Sequence, residues 1–175
     1  YSKYPLFLAV RAECGDNIGF GIESTAKASE LTDTDSVREA YGAIATKLAA
    51  FGINMDLAPV ADIVSEQCNS SLQGRTFGSD GATAAPLVNA AVQSLQEREV
   101  SAVLLTFPGE GAVTDGKVSK SLEEMKNSDF LTFQSAIQNG ADCIMVSNVS
   151  APEITGDDTP CSLSGTMITD VLRGT

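Results

Sequence analysis

Short, nearly continuous apolar runs alternate along this chain with longer amphipathic stretches. Four runs stand out: Pro5–Val10 (PLFLAV), Leu57–Val64 (LAPVADIV), Val100–Phe107 (VSAVLLTF) and Asp142–Val149 (DCIMVSNV). Apolarity that is continuous rather than alternating marks strands covered on both faces. The intervening stretches carry helix signals. Ser36-Val-Arg-Glu39 has the form of a capping box, followed by Val37, Tyr41, Ile44, Leu48 and Phe51 at helical spacing, with Gly52 as a stop. Ser121-Leu-Glu-Glu124 repeats the box ahead of Met125, Phe133 and Ile137, with Gly140 closing. Ala82–Glu97 reads as an Ala-rich helix, and Ser162–Leu172 as the start of another.

This order predicts an α/β fold of repeated β-α units, joined by right-handed crossovers into a parallel sheet. A TIM-like (β/α)8 barrel takes ~250 residues, so the units form part, about half, of such a barrel, as one domain over residues 1–175. An open doubly wound sheet is the alternative. In both, ligands bind beyond the carboxyl ends of the strands. That singles out the loops Arg11–Gly21, Ser65–Gly78, Pro108–Lys120 and Ser150–Cys161. The sheet edges of a partial barrel invite self-association.

Composition narrows the chemistry. With 43% apolar residues the chain belongs to the globular class, and no apolar run approaches the ~20 residues that span a bilayer. The first residue is Tyr1 and a strand follows at once, which reads as the interior of a longer protein and leaves the compartment open. A net charge of −12 repels phosphate backbones and anionic lipid heads, so neither nucleic acid nor a membrane is an expected partner. Cys14, Cys68, Cys143 and Cys161 form no CxxC pair, and Cys143 in its apolar run reads as a small core residue. There is no histidine, so Ser-His-Asp chemistry and His-ligated metals are excluded within this chain. Proton transfer would fall to carboxylates, Lys, Tyr or Cys. No G-x-G-x-x-G follows the first run, and no cofactor or metal is expected.

Four segments carry a resemblance. They are Gly52-Ile-Asn-Met-Asp-Leu-Ala-Pro-Val-Ala-Asp62, Gln73-Gly-Arg-Thr-Phe-Gly-Ser-Asp80, Phe107-Pro-Gly-Glu-Gly111 and Leu163-Ser with Ile168-Thr-Asp-Val-Leu-Arg-Gly174. In this order they resemble glycoside hydrolase family 3, in its β-N-acetylhexosaminidase-like branch. The resemblance implies a TIM-like barrel, a carbohydrate partner (a β-linked amino sugar or glucoside) and retaining hydrolysis of a β-glycosidic bond. Retention needs a nucleophile on one side of the anomeric carbon and an acid/base at the leaving oxygen. Arg75 matches the family's sugar-binding arginine, with bracing of its own loop against Asp62 or Asp80 as the other reading. Asp62 matches the aspartate closing the third strand of the family barrel, read first as fixing the loop backbone and second as bonding a hydroxyl.

Other positions depart from the family. Arg11 stands where an aspartate is common, Leu105 and Thr106 where Lys-His precede Phe-Pro-Gly, and Glu110 where a histidine follows it. The family's Asp and His acid/base positions fall near Gly116 and Val118, with Asp115 one place early, and Asn148 stands for a fourth-loop histidine. The resemblance puts the nucleophilic aspartate on the strand after Thr175. Glu110 and Asp115 are the weak catalytic candidates that remain, with Glu13 and Asp16 as minor candidates in the first loop. The expected function is a family 3-like glycosidase domain that is inactive as this chain, the alternative being a non-catalytic carbohydrate-binding or scaffold relative.

Overall fold

Asn54 sets where the sheet begins. Its amide accepts from Leu8 N–H at 2.8 Å and donates to Leu6 C=O at 2.9 Å, tying the first apolar run to the second through a side chain. The first strand is therefore short, Ala9–Val10 (β1). In the computed structural model, residues 3–4, 6–15, 19, 21–23, 25–64, 70–111 and 113–174 are described. Pro5, Asp16 and Cys68 lie outside them.

The second strand is Met55–Asp56 (β2), earlier than the run Leu57–Val64 predicts. Pro59 brings no N–H to the ladder, and past Asp56 only Val60 pairs as a bridge, with Leu105. Ser101–Phe107 (β3) and Cys143–Val146 (β6) match the third and fourth runs closely. The four strands form a parallel sheet in the order β1-β2-β3-β6, with Ala9 beside Met55, Met55 beside Ser101 and Val103 beside Cys143.

Helix α1 runs Thr34–Ala50, capped by Asp33, whose Oδ1 accepts from the N–H groups of Asp35 and Ser36. The expected box from Ser36 is not used. An acidic cap three residues earlier captures the free N–H groups, and the Ser36 hydroxyl donates back to Asp33. The stop at Gly52 holds, in the left-handed region at φ 74°. Helix α2 (Gly81–Gln96) is capped by Asp80, which accepts from Thr83 N–H at 2.9 Å. Gly81 is required there, because a Cβ would lie 2.4 Å from Ser128 C=O.

The capping box at Ser121 and Glu124 forms as read, but its helix is two helices, α3 (Leu122–Lys126) and α4 (Phe130–Gln138). The break holds a polar knot in which buried Asp129 takes Lys120 and the Ser128 hydroxyl. The C-terminal stretch is irregular too, with a 3-10 turn at Cys161–Leu163 and a π-helical segment at Thr166–Leu172 in place of one helix from Ser162. Among the described residues, the third loop adds an antiparallel hairpin, β4 (Val113–Thr114) and β5 (Lys117–Val118), that the sequence reading did not anticipate.

Helices α1, α2 and α4 cover one face of the sheet. Tyr41, Ile44, Leu48, Val88, Leu95, Phe130 and Phe133 are fully buried among them. Phe107, ending β3, stacks on Phe130 at 5.0 Å and meets Phe133 edge-on at 5.6 Å, anchoring the loop that follows. Cys143 is partly buried rather than fully buried in the core. Among the described residues, no helix is long and apolar enough to cross a membrane.

Candidate active site

The side chains that matter sit just past the carboxyl ends of the strands: Arg11 and Glu13 after β1, Asp62 after the Val60 bridge, Glu110 after β3, and Ser147 after β6. Arg75 arrives from the loop before α2, through a 3-10 turn at Ser70–Leu72.

Asp62 organises the third loop. It is buried, with Oδ2 accepting from Thr106 N–H at 3.0 Å and from the Thr106 hydroxyl at 3.3 Å, and Oδ1 accepting from Glu110 N–H. It therefore holds both ends of the Phe107–Gly111 turn. Burial pushes its pKa up to about 6 against the lowering effect of those N–H groups, and the charge of Glu110 adds to the rise. Gly111 completes the fit: a Cβ there would sit 1.8 Å from Ile63 C=O. The loop's glycine is thus a packing requirement against the second strand's end.

Arg75 does not brace against Asp62 or Asp80. Its Nε and Nη2 grip both oxygens of Glu13, at 2.6 and 2.7 Å, and its Nη1 donates to Ser71 C=O at 2.9 Å. Glu13 takes a second guanidinium, the Nε of Arg11, at 2.6 Å. The Glu13 side chain is only 13% exposed. Burial alone would raise its pKa, but hydrogen bonds and charge from Arg75 and Arg11 outweigh that and hold it below the usual carboxylate value. Arg75 is shifted upward, chiefly by its bonds to Glu13, with the nearby Asp62 and Glu110 contributing.

Behind this pair lies a second buried carboxylate, Asp56. Its Oδ1 accepts from Ala12 N–H at 2.8 Å, while among the described residues Oδ2 meets no donor. Burial lifts its pKa to about 7, the Ala12 N–H opposing and Glu13 adding. The buried Cys14 thiol lies 3.6 Å from the Tyr41 hydroxyl.

Two cavities of about 360 Å³ each open at this end. One is lined by Arg11, Ser71, Arg75, Thr106, Glu110 and Met145, the other by Thr106, Glu110, Gly116, Ser147 and Asn148 among others. Glu110 is common to both, and its Oε1 accepts from the Ser147 hydroxyl. Asp115 lines neither. It is exposed at the tip of the β4–β5 hairpin, with φ 49° followed by Gly116 at 76°, as an Asp-Gly hairpin turn demands. Asn148 accepts from the Ser162 hydroxyl at 2.6 Å. A larger cavity, about 470 Å³, lies elsewhere, between α1 and the segment around Gly21–Leu31.

The structure thus brings Arg75, Asp62 and Glu110 to one mouth and leaves Asp115 outside it. Arg11 and Glu13 belong there too, although the sequence reading ranked Glu13 low. The available signal was their position directly after the first strand. The Arg75 partner of Glu13 lies 62 residues on, beyond any local pattern. Among the described residues no group of three or more His, Cys, Asp or Glu side chains is arranged to hold a metal ion.

A β-hexosaminidase from Stenotrophomonas maltophilia (strain K279a) is 31% identical over 137 residues, covering 75% of this chain and 40% of the relative. Among solved structures, the family 3 β-N-acetylglucosaminidase from Paenibacillus sp. str. FPU-7 superposes with a TM-score of 0.88 at 27% identity, covering 98% of this chain and 35% of that one. The β-N-acetylhexosaminidase from Beutenbergia cavernae DSM 12333 gives 0.83 at 28% identity, over 97% and 55%. The chain therefore spans well under two thirds of the proteins it matches. The model of the glycosyl hydrolase family 3 N-terminal domain matches residues 2–175. From Arg11–Glu13 through the Phe107–Gly111 turn, this is a strand-end mouth within that matched region, and the chain belongs to glycosyl hydrolase family 3.

Proposed function

We propose that this domain forms the sugar-binding part of a β-N-acetylhexosaminidase-like glycosidase site, and that the 175-residue chain holds a β-linked amino sugar or glucoside without hydrolysing it. The observation carrying this reading is the Asp62-pinned turn beside the Glu13–Arg75 pair, at the carboxyl ends of parallel strands. A guanidinium preorganised by a partly buried carboxylate presents its remaining N–H groups at a reduced ordering cost on binding. Thr106 and Glu110, both partly exposed, add a hydroxyl oxygen and a carboxylate as acceptors for ring hydroxyls. The relatives' names supply the substrate class.

The absence of turnover rests on the missing partner groups. Retaining hydrolysis needs two carboxyl groups ~5–5.5 Å apart across the anomeric carbon. Glu110 reaches the cavities, but Asp115 stands on the exposed hairpin tip, and the sequence holds no histidine to replace either role. The test is release of aryl alcohol from an aryl β-N-acetylglucosaminide and an aryl β-glucoside. No release above background is expected. Release that Glu110→Gln abolishes would overturn the non-hydrolysing part of the reading.

A further inference from the structure

The mouth is electrically two-sided in a chain that is otherwise strongly acidic. On one wall Arg11 and Arg75 both bond a single carboxylate, Glu13, with the buried Asp62 near Arg75. Glu13 is saturated by this arrangement: Oε1 takes Arg11 Nε and Arg75 Nη2, while Oε2 takes Arg75 Nε. Arg75 is further committed to Ser71 C=O. Arg11 is not. It commits only Nε to Glu13, its side chain is 54% exposed, and among the described residues its two terminal nitrogens meet no acceptor. On the other wall Glu110 accepts from Ser147 and faces away toward the second cavity as well as into the first.

A neutral sugar offers hydroxyl oxygens, each of which takes a guanidinium N–H singly. A planar carboxylate takes two at once, by parallel bonds to the Nη1–Nη2 edge. The hydroxyl edge of the same sugar would then face Thr106 and Glu110, which supply a hydroxyl and a carboxylate acceptor. The polarity of the walls therefore orients a ligand that carries an anion at one end and hydroxyls at the other. A bystander arginine, solvated on the rim, would have no such opposed wall and no cavity of about 360 Å³ between.

We propose that this site selects a sugar bearing a carboxylate, a uronic acid, and that Arg11 is the residue that reads the acid. The inference rests on the sugar-binding reading above. The test compares D-glucuronate, D-glucose and N-acetyl-D-glucosamine as probes, by calorimetric or NMR titration of the 175-residue protein and of Arg11→Gln and Arg11→Lys.

Charge-assisted bidentate pairs are stronger than neutral hydrogen bonds, so glucuronate should bind about ten- to a hundredfold tighter than glucose. Arg11→Gln should weaken glucuronate binding far more than neutral-sugar binding and so remove most of that preference, and Arg11→Lys should keep part of it. Raising the salt should weaken glucuronate binding alone. Neutral sugars binding as tightly as glucuronate would overturn the acid preference and leave the sugar-binding reading standing. A preference unchanged in Arg11→Gln would overturn the role of Arg11. Failure of all three probes to bind would overturn both readings together.

Discussion

The two sides of the mouth handle charge differently. Toward β1 and β3, Asp62 and Asp56 are buried and Glu13 is largely so, and their neighbours are backbone N–H groups and guanidinium forks. Toward the β4–β5 hairpin, Lys117 pairs with Asp158 at 2.7 Å, but both side chains are half exposed or more. The distances alone would rank the two sides as equals. Burial separates them, because a desolvated group loses water it cannot replace when its partner goes, whereas an exposed pair falls back on solvent. The strand-end side should behave as the frame of the site and the hairpin side as trim.

The sharpest break of that contrast is Gly111→Ala. Its methyl group would overlap Ile63 C=O, so the third loop must leave the second strand's end. We expect a loss of about 3 kcal/mol or more, or no folded protein, read by chemical denaturation. Tolerance within 1 kcal/mol would show that the loop is not seated on that strand. Next is Asp62→Ala, which orphans the N–H groups of Thr106 and Glu110. A loss of about 1–3 kcal/mol is expected for such unpaired buried donors, with chemical shifts changing across Thr106–Gly111.

Asp56 sharpens the comparison by its pH dependence. Its folded pKa, about 7, lies above the usual carboxylate value. Its favourable contribution is therefore greatest below about pH 4 and is lost as pH rises through about 7. Asp56→Asn removes that loss and keeps an acceptor for Ala12 N–H. Relative to wild type, the variant should gain about 1–3 kcal/mol between pH 4 and pH 8. A difference that stays flat with pH would contradict a buried, titrating Asp56. The smallest effect belongs to the trim: Lys117→Ala should cost below ~1 kcal/mol, and less still in high salt. A larger loss would mean that the hairpin helps hold the mouth.

The parts of this fold that repeat locally were readable. Apolar spacing from Val37 to Leu48, the stop at Gly52 and the box at Ser121 each need only a few neighbouring residues, and each is present. Misreadings arose where local signals competed. Asp33 and Ser36 are both good caps, and only the backbone geometry chooses Asp33. The break at Asn127–Asp129 depends on Lys120 reaching Asp129, which helical periodicity does not register. The hairpin at Asp115-Gly116 did carry its Asp-Gly signal, overlooked because flanking strands of two residues show no alternation. In the site, Arg75 and Asp62 were visible through their motifs, but their partners were not. Glu13 and Arg75 meet across 62 residues, and a pairing of that kind follows from the order of the strands rather than from either segment.

The most direct test of the central claim is an NMR titration of the protein with N-acetyl-D-glucosamine, following backbone amides. The account predicts shifts concentrated at Ala12–Glu13, Arg75, Thr106–Glu110 and Ser147. Shifts gathered instead around the larger cavity, from Gly21 to Lys47, or no shifts at millimolar sugar, would contradict it.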